Sequence, residues 1–220
     1  MAERQYDSFL RTKTDLLRYA RTSTEMYAGL VDGTGRIGSS TTEGEGRRLR
    51  IDANGLVDPA VGDSVSVAGA CLTADRVGNG WFEAFLSAET VERTYLAELP
   101  LGAPVNLESP LALGEPIDGH LVGGTVAATS EVLAVEDDEA GWTYEFAIPD
   151  GFAPYLAEKG AVTVDGASLT VAELDADRFA VAVIPETYEL TTLSEKEPGD
   201  PVHLEPDPVA TYVERQLSMA

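Results

Sequence analysis

The sequence predicts an all-β protein of two tandem Greek-key barrels followed by a C-terminal α-helix. Three observations predict it. The stretch Val65 to Pro110 aligns without a gap on Val162 to Asp207, at a constant shift of 97 residues and with over a third of the pairs identical. Among the identical pairs are Gly69/Gly166, Leu72/Leu169, Thr73/Thr170, Glu89/Glu186, Thr90/Thr187, Thr94/Thr191 and Gly102/Gly199. Within each copy, apolar side chains alternate with small or polar ones between turn-forming residues, as in strands with one buried face. Finally, the last residues, DPVATYVERQLSMA, switch to helical spacing.

The elements follow in chain order. Residues 1–25 form an N-terminal extension with five basic side chains, Arg4, Arg11, Lys13, Arg18 and Arg21, in an otherwise acidic chain. Phe9, Leu10, Lys13, Leu16, Leu17 and Ala20 recur at helical spacing and predict a short, weakly amphipathic helix. The simplest reading is an appended extension, with Met26 opening the folded part; a partner-binding tail is the other.

The first barrel spans 26–114 and the second 115–207. LVDGT (Leu30 to Thr34) is matched by LVGGT (Leu121 to Thr125) at a shift of 91, so six residues of difference are expected in the loop after each first strand. Val65 and Val67, like Val162 and Val164, alternate ahead of a glycine turn, and Phe179 to Val183 continues the period of two. Gly33-Thr34-Gly35, Gly78-Asn79-Gly80 and Asp175-Ala176-Asp177 are expected turns. Short helical pieces are expected at Ala153 to Glu158, closed by Gly160, and at Val91 to Glu98. In the final segment, 208–220, Asp207 suits the N-cap, Pro208 the first helical position, and Val209, Tyr212, Val213 and Leu217 form one apolar stripe. That stripe must be covered, either by its own barrel or by the same helix of other subunits.

Composition narrows the function. A chain of 220 residues with 44% hydrophobic residues can build two small cores, and no apolar run reaches membrane-spanning length. The N-terminus has no signal-peptide pattern, and a cytoplasmic protein is expected. Cys71 is the only cysteine, which rules out an internal disulfide or a multi-cysteine metal site. With 38 acidic against 15 basic residues, the net charge of −23 repels phosphate backbones, so neither nucleic acid nor membrane is an expected partner. Such a charge density matches proteins that work in molar salt, where repulsion is screened.

Five segments carry a family resemblance: MYAGLV (Met26 to Val31), GACLT (Gly69 to Thr73), DGHLVGGTV (Asp118 to Val126), KGAVTVDGASLTV (Lys159 to Val171) and IPETYELTTL (Ile184 to Leu193). Together, in order and spacing, they resemble riboflavin synthase, and the predicted barrels are then lumazine-binding barrels. The resemblance implies a dismutation without cofactor or metal. Two molecules of 6,7-dimethyl-8-ribityllumazine exchange a four-carbon unit, giving riboflavin and 5-amino-6-(ribitylamino)uracil. It also implies a homotrimer in which an N-terminal barrel faces the C-terminal barrel of a neighbour.

The same resemblance places Cys71, Ser168 and His120 in the chemistry. Substrate contacts are implied for Gly29, Leu30 and Val31, for Cys71, Leu72 and Thr73, and for Ser87, Ala88, Glu89, Thr90, Val91 and Glu92. In the second half they are implied for Gly124, Thr125 and Val126, for Lys159, for Ser168, Leu169 and Thr170, and for Ile184, Pro185, Glu186, Thr187, Tyr188 and Glu189. Backbone donors beside an apolar wall suit a flat pteridine, and hydroxyls and carboxylates suit a ribityl chain. Read without the resemblance, Cys71 is a small buried hydrophobe, Lys159 a solvated cation, and Glu89 and Glu186 exposed turn carboxylates. Asp207 needs no role beyond its helix cap.

Two departures stand out. Thr125 occupies the place of a family histidine implicated in proton transfer, and a threonine hydroxyl is no base near neutral pH. Tyr27 and Ala28 replace the usual Phe and Thr. These changes keep a second class in view, a lumazine- or flavin-binding paralogue without turnover; a barrel serving only assembly is disfavoured by the polar residues in both loops. Gly33-Thr34-Gly35 is no nucleotide loop, lacking both the further glycine and a βαβ context. The charge makes one prediction: the melting temperature rises steeply from dilute to molar potassium chloride, and a flat profile would contradict the high-salt reading.

Overall fold

In the computed structural model, residues 25–138 and 141–219 are described. The predicted N-terminal helix falls outside them. The first barrel comprises β1 (Gly33–Glu43), β2 (Gly46–Asp52), β3 (Ser64–Val67), β4 (Ala70–Gly78), β5 (Trp81–Leu86) and β6 (Pro104–Glu108), with helix α1 (Ala88–Arg93) after β5. The second comprises β7 (Ala128–Asp138), β8 (Gly141–Ala147), β9 (Ala161–Val164), β10 (Ala167–Leu174), β11 (Arg178–Val183) and β12 (Pro201–Pro206), with α2 (Pro185–Leu190) after β11. Helix α3 (Pro208–Leu217) ends the fold. Both sheets close, in the orders β1-β2-β5-β4-β3-β6 and β7-β8-β11-β10-β9-β12, all neighbours antiparallel. Closure leaves no strand edge exposed for pairing with another chain.

Each barrel has its own core. Ile37, Leu49, Ile51, Phe82, Leu86 and Leu107 are at most 1% exposed in the first, as are Tyr144, Phe146, Phe179, Val181 and Leu204 in the second. Buried and half-buried residues alternate from Arg48 to Asp52 in β2 and from Thr143 to Ala147 in β8, as a strand with one inward face demands. Within each core, Val65 and Val67 face the roles of Val162 and Val164, so the repeat in the sequence is a repeat in packing.

Three expectations change. Gly33-Thr34-Gly35 is not a turn: it runs inside β1, paired with Val105, Asn106 and Leu107. Gly35 is there because a Cβ would meet Leu107 Cδ1 at 2.7 Å, so close packing across the barrel selected it. The match of Leu30–Thr34 to Leu121–Thr125 at 91 is out of register. β1 and β2 begin 95 residues before β7 and β8, whereas β3 begins 97 before β9, so two extra residues lie between β8 and β9. Third, the expected helix at Ala153 to Glu158 shrinks to a 3-10 turn, Ala153–Tyr155, and that at Val91 to Glu98 divides into α1 and a 3-10 turn, Leu96–Glu98. The turns at Gly78 to Gly80 and Asp175 to Asp177 join strands as expected.

α3 starts as expected, with Pro208 in its first turn and the Asp207 side chain accepting from Val209 N at 2.7 Å. Its own barrel does not cover the stripe, since Val209, Tyr212 and Leu217 are each over two-thirds exposed.

The barrels meet about a pseudo-twofold axis. The β3–β4 and β9–β10 hairpins turn on Ala68-Gly69 and Asp165-Gly166, all four at positive φ, as a two-residue type I′ turn requires. Their tips touch: a Cβ on Gly69 would lie 2.8 Å from Gly166 N, and one on Gly166 2.9 Å from Gly69 N. Behind them, Asn106 and His203 occupy matching places on β6 and β12. Asn106 Nδ2 donates to Asp165 O at 2.8 Å and its Oδ1 accepts from Thr192 N at 2.7 Å. His203 does the same across the axis, Nδ1 donating to Ala68 O at 2.7 Å and Nε2 accepting from Tyr95 N at 3.0 Å. Those partners leave only the neutral Nδ1–H tautomer, and burial lowers the His203 pKa in agreement. Asp165, fully buried, accepts from Tyr95 Oη at 2.7 Å and pairs with Lys196 Nζ at 3.2 Å.

Gly69→Ala and Gly166→Ala should therefore be more destabilising than Gly102→Ala. Gly102 also has positive φ, but a Cβ there meets nothing within 4 Å. Its alanine should cost about 1–2 kcal/mol for the left-handed conformation alone, and at the hairpin tips overpacking should add about 1–3 kcal/mol. Urea denaturation of the three variants checks the order; equal losses would mean the tips do not bear on one another.

Candidate functional site

The segments leading into the two barrels are exchanged. Tyr27 and Val122 bridge across the pseudo-twofold, Tyr27 N donating to Val122 O at 2.8 Å and Val122 N to Tyr27 O at 3.0 Å. Each segment then crosses to the opposite barrel. Ser168 N donates to Gly29 O, and Cys71 N to Gly124 O, both at 2.8 Å. A Cβ on Gly29 would lie 2.6 Å from Ser168 Cβ, and one on Gly124 2.6 Å from Cys71 Cβ. Both glycines have positive φ, +73° and +70°, so no other residue fits easily. Val31 accordingly packs on the second core and Val126 on the first.

Two mirrored clusters result. On the first barrel, Gly124 lies on Cys71, with Val126 packed on that barrel's core. The pairing of Ala74 with Ala84 brings the start of β4 beside the end of β5, so Ser87 and α1 share that rim. On the second barrel, Gly29 lies on Ser168, with Val31 packed on that barrel's core, and the pairing of Val171 with Val181 brings Ile184 and α2 to the same rim. In both, the threonine of the triplet and the residue after the crossing glycine face solvent, while Cys71 and Ser168 are half-buried.

The groups beside those two residues differ. On the second barrel, His120 Nδ1 lies 2.7 Å from Ser168 Oγ and its Nε2 3.1 Å from Thr163 Oγ1. Burial lowers the His120 pKa, opposed by Asp207, so the ring stays neutral near pH 7 and can take a proton. On the first barrel, the Tyr27 hydroxyl donates to Cys71 Sγ at 3.2 Å. Tyr27 is fully buried, and desolvation pushes its phenol well above the usual range, so it remains a donor. His120 thus belongs to the Ser168 cluster and Thr125 to the Cys71 cluster. Within one chain His120 does not stand in for the base missing at Thr125.

Beneath each crossing segment sits a carboxylate that sequence reasoning missed. Glu108 Oε1 accepts from Ala28 N at 2.8 Å and Gly29 N at 3.0 Å. Glu205 accepts from Gly123 N at 2.7 Å and Thr125 N at 2.8 Å. Burial pushes each pKa up to about 7, although backbone N–H donors pull the other way. A signal was present: the pair is identical in the repeat and follows the apolar residues of VNL and VHL at the end of a buried strand.

The remaining predicted residues lie around these clusters. Ser87 Oγ accepts from Thr90 N at 3.2 Å, capping α1. Glu89 is exposed and ion-paired with Arg93 at 2.9 Å, while Ala88, Glu92, Pro185, Glu186 and Glu189 are exposed. Val91 packs on the first core; Tyr188 and Thr187 are half-buried, the Tyr188 ring stacked 3.6 Å from that of Trp142. Lys159 is exposed, its Nζ donating to Ala172 O at 2.6 Å. Neither cluster is enclosed. The larger concavities, of about 530 and 720 Å³, are lined by acidic and linker residues around Asp58 and Pro59, and of the predicted residues only Leu30 borders one. The mirrored hydrogen bonding, rather than concavity, marks the site: a shallow rim is what a surface completed by a second surface looks like on one chain.

Comparison with known proteins places this architecture. The family model for the lumazine binding domain matches twice, over residues 28–110 and 123–207. Riboflavin synthase from Mycobacterium tuberculosis is 42% identical over 200 residues, 89% of this chain and 100% of the relative. The Bacillus subtilis riboflavin synthase is 34% identical, covering 89% of this chain and 91% of its own. Among solved structures, LumP complexed with riboflavin superposes with a TM-score of 0.75 at 21% identity, over 82% of this chain and 98% of that one. With both repeats matched and the relatives aligned over nearly their full length, the chain belongs to the riboflavin synthase family, built from two lumazine-binding domains.

Proposed function

We propose that the chain is a riboflavin synthase, a transferase that dismutates two molecules of 6,7-dimethyl-8-ribityllumazine into riboflavin and 5-amino-6-(ribitylamino)uracil. The observation that carries the reading is the mirrored pair of clusters, in a chain 42% identical to a riboflavin synthase over that relative's whole length. A reaction between two copies of one substrate needs two related binding surfaces with unlike chemistry. Here the frames match, Gly124 on Cys71 and Gly29 on Ser168, and the functional groups do not.

On this reading the second barrel supplies one proton-transfer group, and the first lacks its counterpart at Thr125. Neutral His120, 2.7 Å from Ser168 Oγ, can take a proton through that hydroxyl, with Thr163 fixing the other ring nitrogen. The first barrel offers the Cys71 thiol, whose sulfur already accepts from Tyr27, so its own S–H is free to donate to a bound ring. Each rim is open, and each ring needs a second wall. A homotrimer, with the first barrel of one subunit against the second barrel of the next, would close both rims, and the exposed Val209, Tyr212 and Leu217 stripe of α3 offers a surface for holding subunits together. Lys159 and the carboxylates Glu89 and Glu186, all exposed at the rims, suit the ribityl hydroxyls.

Incubating the protein with 6,7-dimethyl-8-ribityllumazine in high salt tests the function: riboflavin fluorescence should appear. Tight binding with no riboflavin would instead make it a lumazine- or flavin-binding paralogue. Thr125 sharpens the test. A positioned base is worth roughly 10²–10⁴-fold in such a step. Thr125→His should therefore raise the turnover rate with little change in ligand affinity. A fast wild-type rate left unaltered by Thr125→His would remove proton transfer from this segment.

A further inference from the structure

The last strands of both barrels, β6 and β12, carry a buried glutamate as their last or penultimate residue, and each glutamate grips the segment that crosses to the other barrel. We infer that Glu108 and Glu205 are crossed positioning residues: each is anchored in one barrel and sets the geometry of the candidate site on the other. Glu108 holds the backbone N–H groups of Ala28 and Gly29, and Gly29 O then receives Ser168 N of the second barrel. Glu205 holds those of Gly123 and Thr125, and Gly124 O receives Cys71 N of the first.

The choice of residue is informative. A strand end at 5–7% exposure is filled most cheaply by an apolar side chain, whereas a carboxylate loses its hydration there. What a carboxylate adds is an acceptor for successive N–H groups, a concave anion nest built from backbone. Aiming those groups inward leaves the glycine carbonyl to point outward, at the amide of Ser168 or Cys71. It also sets the next residue, Leu30 or Thr125, on the rim. Both glutamates accept from the backbone beside the crossing glycine, Glu108 on Oε1 alone and Glu205 on both oxygens.

Ionisation gives the clamp a signature. A carboxylate can accept all of these bonds, but a protonated carboxyl has one oxygen committed to its proton. Glu205 spreads its bonds over both oxygens, Oε1 to Gly123 N and Oε2 to Thr125 N, so its clamp loosens as the pH falls through about 7, whereas Glu108 takes both of its bonds on Oε1 and keeps them when Oε2 is protonated. Asp32 faces Glu108 and adds to its rise, while Glu205 faces the amides of Gly123, Gly124 and Thr125 and has Thr163 opposite it in the sheet. The stability sign is opposite: a carboxyl raised from 4.5 to about 7 favours folding below its unfolded pKa, and that contribution is lost as pH rises through 7. Ionised clamps thus cost stability and hold geometry.

Thiol reactivity reads each site separately, because Cys71 is the sole cysteine of the chain. In the full chain, Glu205→Gln should change the iodoacetamide alkylation rate of Cys71 severalfold, and Glu108→Gln should leave it unaltered. In a chain carrying Cys71→Ser and Ser168→Cys, the pattern should reverse. The rate of Cys71 modification should also show an inflection near pH 7 that Glu205→Gln removes and Glu108→Gln keeps. Should a Gln variant fail to fold by circular dichroism, Glu205→Asp and Glu108→Asp, which keep the charge and shorten the reach, must give the same crossed pattern. Effects confined to the mutated barrel, equal effects on both thiols, or no effect on either would overturn the inference. Alkylation needs neither ligand nor turnover, so this outcome is distinct from a failure of the lumazine-site reading on which the clamps' functional meaning rests.

Discussion

Contact between the two hairpin tips, Gly69 against Gly166, is the constraint on which the rest of the molecule depends. With a Cβ on either glycine reaching within 3 Å of the other's backbone nitrogen, the barrels approach as closely as backbone permits. At that separation, the lead segments can bridge through Tyr27 and Val122 and reach the opposite barrels. The polar layer behind the tips, Asn106, Asp165 and His203, is buried. Asn106 and His203 each offer one donor and one acceptor to the same pair of backbone groups across the axis. A neutral histidine does here what an asparagine amide does, which explains how a duplicated chain tolerates different residues at one of its most buried positions.

Symmetry at the backbone and asymmetry at the functional groups are therefore separable. Backbone pairings recur on both sides: glycine carbonyl to the amide of Cys71 or Ser168, glutamate to the lead segment, threonine hydroxyl back-bonded at Thr94 and Thr191. The side chains beside and after the crossing glycines do not recur. Cys71 with a phenol beside it opposes Ser168 with an imidazole beside it, and Leu30 opposes Thr125. A duplicated scaffold has kept its frame and diverged where two identical substrates would need different treatment.

Much of this was legible in the sequence, for reasons that are physical. The shift of 97 could be read because the I′ hairpins, the inward strand residues and the helix after the fifth strand are all tied to particular residue types: Asp-Gly or Ala-Gly, alternating valines, Ser or Pro ahead of Glu-Thr. The lead segments were misread because their equivalence is one of backbone conformation. Leu30 corresponds to Thr125, a pair without chemical likeness, and a four-residue coincidence of LV and GT outweighed it. The exchange between barrels was invisible for the same reason, since nothing in Gly29 names Ser168 as its neighbour. The residue triplets Cys71-Leu72-Thr73 and Ser168-Leu169-Thr170 were found, and the crossing changes which lead segment each one meets. Glu108 and Glu205 lay in plain sight as an identical acidic pair near the ends of buried strands, a combination that asks for a buried partner.

The central claim is that each candidate site combines the rim of one barrel with the lead segment of the other. The structure of the full chain with a non-reactive lumazine analogue bound tests it most directly. One ring should touch Ser168 to Thr170 together with Leu30, and a second should touch Cys71 to Thr73 together with Thr125. A ring contacting Leu30 and Cys71 of the same barrel, with neither contact crossing the pseudo-twofold, would contradict the account.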